Sequence, residues 1–572
     1  MHNTASYNVV HYVIAMLKQY GIKNIVASPG TQNAYFNYFV QEDPYFNCYS
    51  VIDERSAAYV ATGIAYETGV PVVITCTEAT ASRNYLSAMT EAYYKKLPIV
   101  ALTFFNSSGN EYNIGAQYIN RNNSPSDTKY ISLTLPEIYN KNSKKNVLDY
   151  LNAALATVKY QKKPVHINCP SILKFDNIEK TLPSDIWSTN LFYDCDVNLK
   201  EYLRNKTVAV FVGSHNKFTR DETQALSNFA ISWNIPVICD HTANYLGENK
   251  ILTSQIASIL KIDKKPDLII DIGNVCGEYS SSFLFQNAEI WRISQTQEFK
   301  FRFSVPVSKT YFCSEESFFI KMTNNVTIKE GYYSYLKKQT DAIKVSELPF
   351  CNAMICKELS RLLPKNCSLH LSILNSLRCM NFFDLDNTIN VNCNVGGFGI
   401  DGAVSTLVGQ SLVNPDKKCF GLIGDLAFFY DMNAIGNRHI KNNLRIIVVN
   451  NNKGEEFRLN PILEKPFKDK NDVLIAAGGH NKGGAEGWAK SCGFIYLSAK
   501  NKEEFLDKIK DFCTKEYAQP LLFEVFTTDE DEKAGLNLIK NSGNKAVNNI
   551  SKESGKNNLL TKIANIFSKE SK

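Results

Sequence analysis

The chain has 572 residues, is 44% hydrophobic and carries a formal net charge of +6, which is enough material for three or four domains with sizeable cores. Eight lysines and two glutamates between Lys533 and Lys572 account for that whole charge, so the rest is near neutral and no nucleic-acid surface is expected. No apolar run approaches the roughly 20 residues that cross a bilayer, no export signal is read at the amino terminus, and fifteen cysteines scattered without a CxxC pair point to reduced thiols in the cytoplasm rather than disulfides or zinc.

In chain order, the first twenty residues have a helical period, and Asn24 to Ala27 is predicted as a strand. SPGTQN (Ser28 to Asn33) is the turn opening a helix, and Cys48 to Ile52 is the next strand, leading into DERSAAYVATGIAYETG. Glu54 opens that second helix, where an acid favours the macrodipole. The strand Pro164 to Asn168 closes a first domain, drawn as residues 1–178. A central domain, 179–345, alternates the strands Thr207–Val212, Pro236–Cys239 and Leu268–Ile272 with helices such as Arg220–Trp233. VGSHN after Val212 reads as a plain strand-to-helix connection. A third domain, 346–530, runs from the helix Asn352–Leu363 to the strand Pro520–Phe526. Strands separated by helices imply an α/β chain of three doubly wound parallel sheets. Residues 531–572 read as a basic linker up to Asn558. Leu559, Leu560, Ile563, Ile566 and Phe567 then form a short amphipathic helix, docked on its own or a neighbouring subunit or attached to an anionic membrane or protein partner.

The densest chemistry lies between Gly424 and Gly454, GDLAFFYDMNAIGNRHIKNNLRIIVVNNNKG. A strand, Phe420 to Ile423, ends at the acid; a helix-compatible stretch follows, and a second strand, Leu444 to Val449, runs into three asparagines. Open parallel sheets bind ligands at such strand ends. A hard divalent cation takes a carboxylate, neutral oxygens and a ligand's phosphates, and Asp425, the Asn452 amide and the Gly454 carbonyl could supply the protein's share.

The GD pair followed 27 residues later by Asn452 resembles the diphosphate and magnesium motif of thiamine-diphosphate enzymes. DERSAA near the amino terminus looks like their pyrimidine-binding half. Within that superfamily the chain resembles the menaquinone-pathway 2-succinyl-5-enolpyruvyl-6-hydroxy-3-cyclohexene-1-carboxylate synthases. SPGTQN, DERSAA, the stretch Cys76 to Thr103, NVGGFGIDG (Asn394 to Gly402), GDLAFFYDMN and VVNNNKG carry this likeness across roughly residues 1–530. The resemblance implies thiamine diphosphate and Mg2+ as cofactors. It puts Gly424, Asp425, Leu426 and Asn452 at the diphosphate, Asp425, Asn452 and Gly454 at the metal, and Ile400 beneath the bent cofactor. It makes Glu54 the carboxylate that bonds the aminopyrimidine and so favours removal of the thiazolium proton. It also implies decarboxylation of a 2-oxo acid to an acyl-anion equivalent, which is protonated or added to a carbonyl or enoyl acceptor. Homo-oligomers with sites shared between subunits follow from the same likeness.

Substrate recognition departs from the family. Where it places arginines for substrate carboxylates, this chain has Gln32, Asn106 and Val395, and a fourth arginine is shifted to Arg378, with Met380 at the matching place. Guanidinium forks grip carboxylates in two-point fashion, so these are not conservative changes. TEATASRN replaces TSGTAAAN and puts Glu78 beside the active centre, as a proton donor, as a ligand for a substrate hydroxyl or amine, or as a partner for Arg83. Asn33, Gln117 and Arg378 are further candidates for holding a polar, less anionic substrate. The expectation is a diverged relative with a remodelled pocket. The synthase itself is the alternative, and a silent scaffold is a third reading that the joint presence of Glu54, Asp425 and Asn452 disfavours.

Overall fold

Short apolar strands, most of them buried on both faces, assemble into three six-stranded sheets in which every pair is parallel, the burial that helices on both sides of a parallel sheet impose. The computed structural model describes residues 7–106, 124–172, 181–186, 188, 200–204, 206–295, 302, 305, 307–459, 476–479 and 483–543. Gln117 and the carboxy-terminal amphipathic segment lie outside these residues.

The first sheet holds β1 (Asn24–Ala27), β2 (Asn47–Ser50), β3 (Val72–Cys76), β4 (Ile99–Phe105), β5 (Ile131–Thr134) and β6 (Val165–Pro170) in the order β2-β1-β3-β4-β6-β5. The second holds β7 (Val208–Val212), β8 (Val237–Cys239), β9 (Lys250–Leu252), β10 (Leu268–Ile272), β11 (Glu289–Ile293) and β12 (Lys309–Tyr311) in the order β12-β11-β10-β7-β8-β9. The third holds β13 (Ser368–Leu371), β14 (Asn390–Cys393), β15 (Cys419–Gly424), β16 (Leu444–Asn450), β17 (Ile495–Ala499) and β18 (Leu521–Phe526) in the order β14-β13-β15-β16-β18-β17. The first and third sheets therefore share one topology, whereas the second has the order of a dinucleotide-binding fold.

The first and third domains meet along two helices. Glu54–Thr68 is capped by the Asp53 side chain, which accepts from the N–H groups of Arg55 and Ser56, and ends at Gly69 with φ +70°. It packs on Ala403–Leu412 so closely that a Cβ at Gly63 would lie 2.0 Å from the Thr406 carbonyl oxygen, and one at Gly409 equally near the Val60 carbonyl oxygen. One apolar core runs through both domains, from Val60, Ile64 and Ile74 to Val404, Leu407 and Ile446.

Two segments differ from the sequence-based expectation. The stretch after Asp425 is no full crossover helix: it is helical only from Asp425 to Tyr430, then forms a tight turn over Met432–Gly436. Buried Asp431 is the cause, because its carboxylate accepts the Ser405 N–H and hydroxyl, 2.6 Å each, and pins the chain to the neighbouring helix. Residues 529–543, assigned largely to a flexible linker, are helical. Leu536 and Ile539, three residues apart, are buried in the third-domain core, and Gly535 lies against Cys351. No described helix is long and apolar enough to cross a membrane, and the fourteen described cysteines are free.

Candidate active site

Asp425 stands at the carboxyl end of β15, in the middle of the third sheet, and is only 3% exposed. Its Oδ1 accepts the Leu426 N–H at 2.9 Å, while Oδ2 is buried without a partner. Burial pushes the carboxyl up to about 7, against the opposing N–H groups of Leu426 and Asn452. A buried oxygen left unsatisfied is costly unless something completes it. The neighbouring loop is shaped for close approach: Asn452 is left-handed at φ +62° with its side chain exposed. The Gly479 N–H donates to the Asn452 carbonyl at 3.0 Å, and the Gly454 N–H to the Ala476 carbonyl at 2.6 Å. The Gly454 carbonyl accepts only a long bond from the Phe457 N–H, 3.2 Å, which leaves a lone pair. No group of three His, Cys, Asp or Glu residues suited to a metal occurs among the described residues. A cation here would rest on one carboxylate, neutral oxygens and phosphate, a donor set that suits magnesium. The orphaned Oδ2 fits that role.

Glu54, half-buried, is the first residue of its helix, and the same helix end is fastened to the third domain. Arg55 donates to the Asp401 carbonyl at 2.5 Å and lies 3.6 Å from the Asp431 carboxylate. Asn433 donates to Asp53 at 2.5 Å, and the Tyr59 hydroxyl to Asp401 at 3.1 Å. Ile400, next to Asp401, packs against both the shared core and the second core of the third domain. Tyr85, unsuspected from sequence, is a fully buried phenol whose pKa burial drives far up, with the charges of Cys76 and Glu54 adding to the rise. Non-glycine residues with positive φ recur just past the strand ends: Ala79 (+47°) after β3, Leu374 (+69°) after β13, Phe398 (+57°) after β14 and Asn452 after β16. Such conformations persist where the surrounding structure holds them in place.

The substrate candidates part company. Asn33 is fully buried and holds the SPGTQN turn itself, accepting the Gly30 N–H at 2.9 Å and donating to the Ser28 carbonyl at 3.1 Å. Gln32 keeps a buried Oε1 without a partner. Glu78, 4% exposed, accepts the Asn106 N–H. It forms no ion pair with Arg83, which is exposed on the helix that follows, so the expected Glu78–Arg83 pairing is absent. Arg378 pairs with Glu456. Val395 is buried. In the second domain His215 and Asn216 of the VGSHN turn, and Lys217 after it, line a cavity of about 620 Å3 together with Arg292 and with Lys96 and Lys162 of the first domain.

Residues 7–124 match the family described as thiamine pyrophosphate enzyme, N-terminal TPP binding domain. Curated proteins named 2-succinyl-5-enolpyruvyl-6-hydroxy-3-cyclohexene-1-carboxylate synthase are similar along most of the chain. That of Bacteroides fragilis is 28% identical, covering 90% of this chain and 95% of the relative. That of Bacteroides thetaiotaomicron is 29% identical with the same coverage, and that of Flavobacterium johnsoniae 30% identical over 78% of this chain and 84% of the relative. Fold and amino-terminal match together define the class, the thiamine-diphosphate-dependent enzymes. Within that class the chain belongs to the family of these synthases.

Proposed function

We propose that this protein uses thiamine diphosphate and Mg2+ to decarboxylate a 2-oxo acid and to add the acyl anion to a carbonyl or enoyl acceptor, or protonate it, through a substrate pocket that differs from the synthases'. Buried, half-satisfied Asp425 carries this reading, since a magnesium-bridged diphosphate is the ligand that completes it. When bound, the cofactor supplies a carbon nucleophile and an electron sink for carbon dioxide loss. Asp425, Asn452 and Gly454 would hold the metal, with Gly424 and Leu426 against the diphosphate. Ile400 offers an apolar support between two cores. Glu54 would bond the aminopyrimidine and so favour removal of the thiazolium proton. Glu78 stands at the edge of this centre, its carboxylate engaged with the loop at Asn106.

The relatives' names favour a second reading, the menaquinone synthase itself. Against it stand Gln32, Asn106 and Val395 at the family's arginine positions, together with an Arg378 already engaged by Glu456. Carbon dioxide release from a panel of 2-oxo acids, with cofactor and magnesium and with and without carbonyl acceptors, separates the two. Turnover of a 2-oxo acid other than 2-oxoglutarate supports the first; efficient synthesis from isochorismate and 2-oxoglutarate supports the second.

A reducing, cytoplasmic setting suits the unpaired thiols. We also place the protein in homo-oligomers whose sites combine the first domain of one subunit with the third of another, on the family resemblance alone. Mixing Glu54→Gln with Asp425→Ala protein restores part of the activity if sites are shared. No restoration means that each chain completes its own site through the Arg55 and Asn433 contacts.

A further inference from the structure

Three cations on the rim of the third sheet each meet a carboxylate of the same chain. Arg378 Nη2 lies 2.7 Å from Glu456 Oε2, Lys453 Nζ lies 2.8 Å from Asp529 Oδ2, and Arg458 Nε lies 3.4 Å from that same oxygen. Arg378 belongs to the helix Asn375–Met380, which follows β13, and Glu456 opens the helix Glu456–Leu459, which follows β16. Between those two strands runs β15, which ends in Gly424 and leads into Asp425. The Arg378–Glu456 pair thus joins the segments on either side of the strand that bears the metal anchor.

The pair is built to be contested. Its side chains are 30% and 24% exposed, and Glu456 Oε2, although close, accepts no aligned hydrogen bond. It is a Coulombic contact, not a two-point fork. Nearby, the single carboxylate of Asp529 meets both Lys453 and Arg458. Glu455, next to Glu456 in the chain, is 5% exposed with Oε1 unpartnered. Among the described residues of this rim, Arg378, Lys453 and Arg458 each already meet an internal carboxylate, with which a second substrate carboxylate would have to compete.

We propose that Glu456 is a specificity-determining residue: by neutralising Arg378 it withholds that guanidinium from the substrate, so that the site selects 2-oxo acids lacking a second carboxylate. This rests on the assignment of the site to a 2-oxo acid. The test measures binding of pyruvate and of 2-oxoglutarate to the full-length, cofactor-free protein by calorimetry, alongside carbon dioxide release with thiamine diphosphate and magnesium. Glu456→Gln is expected to bind 2-oxoglutarate about tenfold tighter than wild type, the effect of one charge-assisted contact, with pyruvate affinity unchanged. The gain is expected to vanish in the double variant Glu456→Gln, Arg378→Met. Arg378→Met alone, which does not depend on how Glu456→Gln folds, is expected to keep wild-type 2-oxoglutarate affinity. Equal 2-oxoglutarate affinity in wild type and a folded Glu456→Gln, a gain that survives loss of Arg378, or weaker binding in Arg378→Met would overturn the proposal. The expected binding changes without carbon dioxide release from any 2-oxo acid would uphold it and sink the catalytic assignment instead.

Discussion

The first and third domains thread their strands in the same order, and in both the third strand along the chain leads to an acid just past its carboxyl end. Glu78 follows β3 and Asp425 follows β15, and the two are 4% and 3% exposed. Glu78 accepts an N–H from the end of the adjacent strand β4 and so ties two loops of its own domain together. Asp425 accepts its neighbour's N–H with one oxygen and leaves the other bare. One scaffold position thus holds an internal strut in one domain and a half-satisfied carboxylate in the other. Sequence alone made both acids candidates, and the hydrogen-bond count separates them.

If that contrast holds, the two acids respond very differently to removal. Asp425→Ala is expected to weaken thiamine diphosphate binding by at least about a thousandfold, roughly 4 kcal/mol, because the diphosphate loses its bridging cation. Calorimetry in the presence of magnesium measures this, and circular dichroism checks that the fold persists. Unchanged affinity would erase the distinction between the two positions.

A smaller effect concerns pH and sharpens the comparison in the cofactor-free protein. Burial raises the Asp425 carboxyl from 3.8 to about 7, so the folded state binds this proton more tightly than the unfolded chain does. Its contribution to stability is full below about pH 4 and is lost as pH climbs through 7. Asp425→Asn is therefore expected to stabilise the cofactor-free protein at pH 8 by up to roughly 4 kcal/mol, and hardly at all at pH 4, in urea titrations. Magnesium and cofactor affinity of the wild type should rise between pH 6 and 8 with release of a proton. A flat profile would mean that Asp425 is already ionised.

The smallest effect falls on Glu78. Glu78→Ala leaves the Asn106 N–H without its acceptor and should cost about 1–3 kcal/mol of stability, whereas Glu78→Gln, which retains an acceptor, should cost less. Cofactor affinity should stay within a few-fold in both. A loss of cofactor binding as large as that of Asp425→Ala would place Glu78 at the ligand too.

The carboxylate after β15 and the amides after β16 stood out in the sequence because cation and phosphate chemistry favours those residue types at the ends of parallel strands. What escaped notice depends on which surface covers which. Glu91 and Lys95, four apart on one helix, resemble a solvated pair, yet both are 2% exposed and reach into the third domain. Glu91 accepts the Gly397 N–H at 2.6 Å, and Lys95 donates to the Cys393 carbonyl at 3.0 Å, so together they grip the loop that leads to Ile400. Burial raises the Glu91 carboxyl to about 7. The partner of Arg378 lies in a separate segment, beyond the reach of any local pattern. Asp431, a turn residue by type, ends a helix early because Ser405 of another helix claims it.

In the proposed function the first domain supplies an activating carboxylate to a cofactor held by the third. Deuterium exchange at the thiazolium carbon, with protein saturated in thiamine diphosphate and magnesium, tests it most directly in wild type and Glu54→Gln. The account predicts cofactor affinity within a few-fold and exchange slower by about a hundredfold to ten-thousandfold in the variant. Equal exchange rates at equal occupancy would contradict it and leave Glu54 as an acid that only favours its helix dipole.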